Sequence, residues 1–160
     1  MARAKHFEFP ASVEWEGGSM TVASVVGKQD LDVATPLDFG GENEGTWSPE
    51  DLLVASAATC FAVTLAAIAR RRSIPLLSLH VDGNGHVGPR DDGQLGFTSI
   101  DLRVTAETDS TDAIPQLEAA IERAERGCLV AMALAIPVTI HPTVTATPAG
   151  TLLSPAHVTG

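Results

Sequence analysis

The sequence predicts an α+β chain, because one long apolar helix stands between segments with strand periodicity. From Leu52 to Ala69 no residue is charged, and a cysteine lies near the middle of the segment. Before and after it, short runs rich in Val, Ile, Thr and Trp alternate apolar with polar residues and are bounded by glycine, which is typical of strands in hairpins. These observations favour antiparallel sheets wrapped around a long central helix.

The N-terminal third predicts a β-hairpin and one further strand. The runs "ASVEWEG" and "MTVASVVG" flank Gly17-Gly18-Ser19, a typical hairpin turn. The segment "LDVATPLDF" is predicted to be a third, irregular strand. An acidic, glycine-rich loop then leads into the helix.

The start and the end of the central helix are both marked in the sequence. Ser48 is a good N-cap, Pro49 suits the first helical position, and Glu50 and Asp51 favourably face the helix dipole. Ser48 and Asp51 also form a variant of the capping box. Three arginines, Arg70 to Arg72, complement the opposite end of the dipole. Helix capping alone therefore explains all four residues of "SPED".

The C-terminal half predicts two strands, two helices and a last strand. The strands are "LLSLHVDGNGHVG", in which turn residues follow an alternating start, and "LGFTSIDLRVTAET". An amphipathic helix follows, with Ile114, Leu117, Ile121 and Ala124 on one face. Next come the short apolar helix "CLVAMALA" and the strand "PVTIHPTVTAT". We predict a single domain over 1–146 and a loose tail over 147–160.

Composition excludes several classes of function. The formal net charge of -10 disfavours a nucleic-acid partner, because phosphates would be repelled. The first ten residues contain no apolar run of the signal-peptide kind, so the cytoplasm is the expected compartment. The uncharged helix is long enough to span a bilayer, but ten of its eighteen residues are Ala, Ser or Thr, which gain little from lipid. We expect a buried helix rather than a membrane span. Because it is apolar on every side, we also expect a second subunit to cover it in a homodimer.

The two cysteines, Cys60 and Cys128, allow two interpretations. Free cysteines are commonly small buried hydrophobes. In the cytoplasm, however, a pair is more often redox-active than a permanent disulfide. Burial in an apolar helix raises a thiol pKa, so Cys60 needs a nearby positive group to become a nucleophile. Its own helix supplies none, since the arginines begin ten residues later, about 15 Å along the axis.

A family resemblance favours the redox interpretation. The segment "SPEDLLVASAATCFAVTLAAIA", followed some seventy residues later by "AERGCLVAMAL", resembles the OsmC/Ohr family of osmotically induced and organic-hydroperoxide-resistance proteins. The shared pattern is a Pro-Glu opening, a central helix that bears Cys-Phe, and a second cysteine after an amphipathic helix. The resemblance covers roughly residues 11 to 146.

The resemblance implies an intertwined homodimer with active sites at the subunit interface and a peroxiredoxin-like organic hydroperoxide reductase activity, without metal or other cofactor. Cys60 would attack an organic hydroperoxide and become a sulfenic acid. Cys128 would then form a disulfide with it, and an external dithiol, often lipoyl-linked in this family, would reduce the disulfide. Glu50 would belong to the catalytic hydrogen-bond network and orient an activating arginine.

Two positions depart from the family pattern. The activating arginine is expected in the first hairpin or in the loop before the helix, and neither segment contains Arg or Lys. Leu129 stands where many family members have proline. Two functions therefore stay open. The first is a peroxidase in which Lys28, Arg3 or a residue from a second subunit replaces the charge of the arginine. The second is a relative without efficient peroxidase activity that binds an apolar ligand at the dimer interface. A purely structural pair of thiols is a third.

The histidines do not predict a metal site. His80 and His86 lie six residues apart across a glycine-rich segment, and His141 is distant in sequence. This spacing lacks the local ligand pairs of a zinc site, so we expect no bound metal.

Overall fold

The structure is a computed structural model that describes residues 5–147. It is a mixed α+β chain with two three-stranded sheets, which confirms the predicted fold class. The chain forms two compact units that divide between Leu53 and Val54. The single domain over 1–146 stays a prediction, and the loose tail lies outside the described residues from position 148 onward.

The N-terminal unit contains an antiparallel sheet in the order β1-β2-β3. Its strands are β1 (Ser12–Gly17), β2 (Met20–Ser24) and β3 (Leu31–Ala34). Gly17 and Gly18 connect the first two strands with φ angles of 111° and 55°, which glycine adopts without the steric cost of a Cβ. The predicted hairpin and third strand are thus confirmed.

Helix α1 (Pro49–Arg71) begins with the predicted capping box. The Asp51 amide donates to Ser48 Oγ at 3.0 Å, and the Ser48 amide donates to Asp51 Oδ2 at 2.9 Å. At the other end the amide of Ile74 donates to the carbonyl of Ala69, while Ser73 adopts a φ of 53°. This left-handed residue and the six-to-one hydrogen bond form a Schellman motif, which ends the helix.

The C-terminal unit contains the second sheet, in the order β4-β5-β6. β4 (Ser78–Pro89) pairs antiparallel with β5 (Leu95–Thr108). β6 (Val138–Ala146) pairs parallel with β5, so the prediction that the sheets are antiparallel throughout is wrong at this pair. The reason is the connection: α2 (Ile114–Gly127) and α3 (Leu129–Ala133) lie between β5 and β6, and a crossover of that length permits parallel pairing.

The glycines that indicated a turn after Val81 lie inside β4. A Cβ on Gly83 would stand 2.7 Å from Cγ1 of Val54, and one on Gly85 would stand 2.6 Å from Cγ2 of the same valine. Helix α1 therefore packs so closely on β4 that a Cβ at either position would force Val54 to shift, and such close approach is a common reason for glycine inside a strand.

The core of the C-terminal unit lies between β5 and the helices. Alternate residues of β5 are buried: Ile100, Leu102, Val104, Ala106 and Thr108. Helix α2 buries its predicted apolar face, except that Ile114 is only half-buried. Helix α1 buries one stripe, formed by Ala57, Phe61, Leu65 and Ala69, and leaves apolar residues such as Val63 (65% exposed) uncovered.

By its length and composition alone, helix α1 could cross a membrane: its mean hydropathy is 2.2 over eighteen residues. Core helices of water-soluble proteins pass the same test. Its small residues and its close packing on β4 are the features of a helix that packs against protein.

Candidate active site

The fold brings Cys60 and Cys128 together. Cys60 lies in the middle of α1 and is half-buried, whereas Cys128 is 1% exposed and occupies the N-cap position of α3. The two side chains are hydrogen-bonded to each other, and both thiols are free. The two cysteines, which are 68 positions apart in the sequence, are therefore in contact within one chain.

The first turn of α3 supplies hydrogen-bond donors to both sulfur atoms. The backbone N–H groups of Leu129 and Val130 donate to Cys60, and that of Ala131 donates to Cys128. The first N–H groups of any α-helix have no partner within the helix. In α3 the two thiol sulfurs accept hydrogen bonds from these N–H groups. The N-terminus of α3 begins directly after Cys128, whose extended backbone (φ -74°, ψ 105°) separates α3 from α2.

Cys60 is the sulfur favoured to ionise. Burial alone would raise the pKa of its thiol, but the hydrogen bonds from the Val130 N–H, the Cys128 thiol, the Leu129 N–H and the Thr64 hydroxyl outweigh burial and lower this pKa below its ordinary value. Hydrogen bonds donated to a charged form stabilise that form. A lowered thiol pKa increases the fraction of thiolate, which is the nucleophilic form.

Cys128 has the opposite preference. Burial raises the pKa of its thiol, and the neighbouring Cys60 raises it further, while the Ala131 N–H lowers it only in part. When Cys60 is a thiolate, Cys128 therefore keeps its proton and donates it to the Cys60 sulfur. The two pKa shifts therefore favour Cys60 over Cys128 as the first thiol of the pair to ionise.

Glu50 lies in the first turn of α1, ten residues before Cys60. Its Oε2 atom is buried and has no hydrogen-bond partner among the described residues. A buried carboxylate oxygen without a partner costs free energy, on the order of 1–3 kcal/mol. This oxygen is therefore available to accept a hydrogen bond that the described residues do not supply.

Sequence analysis predicted both cysteines and Glu50 but missed the donors. It looked for a cation, whereas the described groups that lower the Cys60 pKa are two backbone N–H groups, a thiol and a hydroxyl. One signal was present: Thr64 stands four positions after Cys60 and so shares its helix face. The backbone donors had no signal beyond the Gly127 break, since any residue type except proline carries an N–H.

A second polar cluster lies on the outer face of the C-terminal sheet. The Nε2 atoms of His86 and His141 donate to the two carboxylate oxygens of Asp101, at 2.8 and 3.0 Å. The histidines hold the pKa of Asp101 below its ordinary value by these hydrogen bonds. Within residues 5–147, no group of three or more His, Cys, Asp or Glu side chains has an arrangement that would hold a metal ion.

Comparison with known proteins identifies close counterparts of this fold. The family profile of OsmC-like proteins matches residues 41–142. An uncharacterized protein of Bacillus subtilis (strain 168), YmaD, is 27% identical over 133 residues, which cover 81% of this chain and 86% of the relative.

Two solved structures share the fold at lower identity. An OsmC-like protein of unknown function from Vibrio cholerae superimposes with a TM-score of 0.78 at 19% identity, covering 86% of this chain and 100% of its own. An organic hydroperoxide resistance protein from Elizabethkingia anophelis has a TM-score of 0.66 at 20% identity, covering 91% and 99%.

Proposed function

Because the chain belongs to the OsmC-like protein family, we propose that it is a thiol-dependent peroxidase that reduces organic hydroperoxides. The observation that carries the proposal is the hydrogen-bonded pair of Cys60 and Cys128, in which the pKa of Cys60 is lowered and that of Cys128 is raised. The name of the Elizabethkingia anophelis protein, which shares the fold, agrees with this function.

The first chemical step is attack by the Cys60 thiolate on the distal oxygen of the hydroperoxide. An S–O bond forms and the O–O bond breaks, so that the sulfur is oxidised to a sulfenic acid and the organic group leaves as an alcohol after taking up a proton. The N–H groups of Leu129 and Val130 hold the thiolate ready for this attack.

The second step forms a disulfide between Cys60 and Cys128. The Cys128 sulfur attacks the sulfenic sulfur, water leaves, and both cysteines end in the same oxidation state. Cys128 is suited to this role because it is in contact with Cys60 and because its raised pKa keeps it from competing as the first nucleophile. An external dithiol then returns the pair to two thiols.

Two departures from the family pattern offset each other in this proposal. The expected segments contain no arginine, and Leu129 replaces a proline that many family members carry. Proline has no backbone N–H, whereas Leu129 donates one to Cys60. The donor gained at position 129 thus supplies part of the thiolate stabilisation that the arginine would have given.

Glu50 completes the proposed catalytic set. Its buried, unpartnered Oε2 suits a carboxylate that accepts a hydrogen bond from the hydroperoxide or from a cation of a second subunit. We also propose a homodimer, because α1 leaves an apolar face exposed within one chain and a second subunit would cover it. The cytoplasm stays the predicted compartment.

The test is consumption of cumene hydroperoxide and of hydrogen peroxide, with dithiothreitol as the reductant. We expect rapid loss of the organic peroxide with the wild-type protein and loss at the background rate with Cys60→Ser. Cys128→Ser should still be oxidised once by cumene hydroperoxide, to a sulfenic acid that dimedone traps, but should not form an intramolecular disulfide. Consumption by the wild type that does not exceed the Cys60→Ser background would contradict a peroxidase that depends on Cys60, and the chain would then be examined as a scaffold that binds an apolar ligand.

A further inference from the structure

We propose that a surface cleft between the end of α1 and the start of α2 binds a small carboxylate that carries an apolar chain, and that Arg72 holds the carboxylate group. The site is separate from the cysteine pair. Arg72 follows Cys60 by twelve residues in the chain, and twelve residues of helix span about 18 Å. The inference therefore does not rest on the proposed peroxidase.

The cleft lies within the C-terminal unit and has a volume of about 480 Å³. It is lined by Arg72, Ile74, Pro115, Gln116 and Ala119. Small-molecule sites in proteins typically occupy about 300–1,000 Å³ and combine apolar surface with a few polar groups that orient the ligand. In this cleft three residues supply apolar surface, and Arg72 and Gln116 supply the polar groups. Such a lining suits a ligand with one polar end and an apolar body.

The backbone that carries Arg72 is held by the end of α1. The Arg72 amide donates to the carbonyls of Ile68 and Ala69, at 3.0 and 3.2 Å. Two residues later, the amide of Ile74 donates to the carbonyl of Ala69 at 2.9 Å, and Ile74 is buried. The Arg72 side chain thus extends from an anchored backbone, so that only its own rotamers lose entropy when it binds a ligand.

The two polar side chains of the cleft are not engaged elsewhere in the described part of the chain. Within residues 5–147, Arg72 has no carboxylate within 4.0 Å, and the side chain of Gln116 has no hydrogen bond. Both residues are exposed, and none of the described residues that line the cleft is acidic. A ligand can therefore take up the donors of both side chains without breaking a contact among these residues.

Positive charge is concentrated at this end of α1. Arg70, Arg71 and Arg72 are three of the ten Lys and Arg residues in a chain whose net charge is -10. Arg70 and Arg71 lie in the last turn of the helix, where cations complement the helix dipole. Arg72 follows the last helical residue and is the arginine that lines the cleft. Because the dipole effect falls off within the last turn, it explains the first two arginines better than the third.

The charge and the shape of the polar groups favour a carboxylate. The planar guanidinium group donates two parallel hydrogen bonds to a carboxylate, and the Gln116 amide offers further N–H donors. One guanidinium group offsets the single negative charge of a carboxylate but not the second charge of a phosphate dianion. The net charge of -10 also repels a dianion more strongly than a monoanion.

Isothermal titration calorimetry with sodium octanoate tests the site and its ligand class. We expect one octanoate to bind per chain, at least about tenfold more tightly than butanoate, because a shorter chain buries less apolar surface. Inorganic phosphate should also bind at least about tenfold more weakly than octanoate. Equal affinities for octanoate and phosphate would overturn the ligand class. The lack of saturable octanoate binding would overturn the site.

Arg72→Gln measures the contribution of the guanidinium group. We expect octanoate to bind about tenfold more weakly, because the charge-assisted hydrogen bonds are lost. The matched control is Arg71→Gln, which removes the same charge one position earlier, at a residue that does not line the cleft. It should weaken binding by less than about twofold. Equal losses in the two variants would mean that Arg72 makes no specific contact with the carboxylate.

Nuclear magnetic resonance locates the bound octanoate, since α1 also exposes apolar residues such as Val63. The largest amide shift changes should occur at Gln116 and Ala119, and the largest changes at Val63 would overturn the site. Ala119→Glu, which adds a carboxylate to the cleft, should abolish octanoate binding. The Cys60→Ser protein should bind octanoate like the wild type, so that failure of the proposed peroxidase and failure of this site are measured separately.

Discussion

At the scale of single residues, hydrogen bonds rather than a neighbouring charge lower the pKa of the Cys60 thiol, which lies inside an apolar helix. Burial acts to raise this pKa, and four hydrogen bonds, two of them from backbone N–H groups, reverse the direction. The helix that carries Cys60 cannot provide such donors from its own backbone, because its interior N–H groups are engaged within the helix. They come from α3, across the tertiary contact.

Leu129→Pro tests the contribution of one backbone donor. Proline fits the first position of a helix, and Cys128 before it already has the extended backbone that a residue preceding proline prefers. Removing the N–H should raise the pKa of Cys60, so that alkylation by iodoacetamide at pH 7 becomes about threefold slower and its pH profile shifts to higher pH.

The control for this experiment is Leu129→Ala, which keeps the N–H and shortens the side chain. It should alkylate at the wild-type rate. If Leu129→Pro and Leu129→Ala have the same pH profile, the backbone at position 129 does not stabilise the thiolate.

Asp101 is a second residue whose pKa depends on its neighbours. Hydrogen bonds from His141 and His86 lower its pKa in the folded state, so these contacts stabilise the fold above the ordinary pKa of aspartate. The contribution is lost as the pH falls through the lowered, folded-state pKa. Asp101→Asn should therefore reduce the free energy of unfolding at pH 7, and the difference from wild type should shrink in acid.

Urea denaturation at several pH values measures this difference. The matched control is Asp92→Asn, an exposed aspartate in the loop between β4 and β5. A difference for Asp101→Asn that stays constant down to strongly acidic pH would mean that the two imidazoles do not stabilise its carboxylate.

At the scale of secondary-structure elements, the close packing of α1 on β4 favours glycine at positions 83 and 85. Gly85→Ala would place a Cβ 2.6 Å from both Val54 and Phe97, so we expect it to lower the free energy of unfolding by about 1–3 kcal/mol. Gly88→Ala is the control in the same strand, because a Cβ there meets only Thr98, at 3.9 Å.

A double variant distinguishes steric crowding against Val54 from the other effects of replacing glycine at position 85. If the clash with Val54 dominates, Val54→Ala should be less destabilising in the Gly85→Ala background than alone. Additive effects of the two substitutions would mean that the contact with Val54 does not dominate the loss of stability.

At the scale of the whole molecule, the apolar face that α1 leaves exposed is the basis for the predicted dimer. Val63 is 65% exposed in the middle of this helix. Val63→Arg should convert a dimer to a monomer in light scattering, whereas Leu95→Arg, at a position equally exposed (64%), should leave the dimer intact. A wild-type protein that is monomeric at micromolar concentration would contradict the prediction.

The sequence by itself determined most of the secondary-structure elements and pointed to the candidate cysteine pair. Its alternating runs, the capping box at Ser48 and the amphipathic pattern of α2 act over a few residues, so that local periodicity and capping were enough to predict them. The cysteine pattern likewise indicated Cys60 and Cys128 as a pair through a family resemblance.

Tertiary structure alone decided how those residues behave. The parallel pairing of β6, the glycines inside β4 and the donors to Cys60 all depend on contacts between segments far apart in the chain. Backbone N–H groups are the same at nearly every position, so no residue type marks the ones that will face a sulfur. For that physical reason, the direction of the Cys60 pKa follows from the position of α3 and not from the composition of α1.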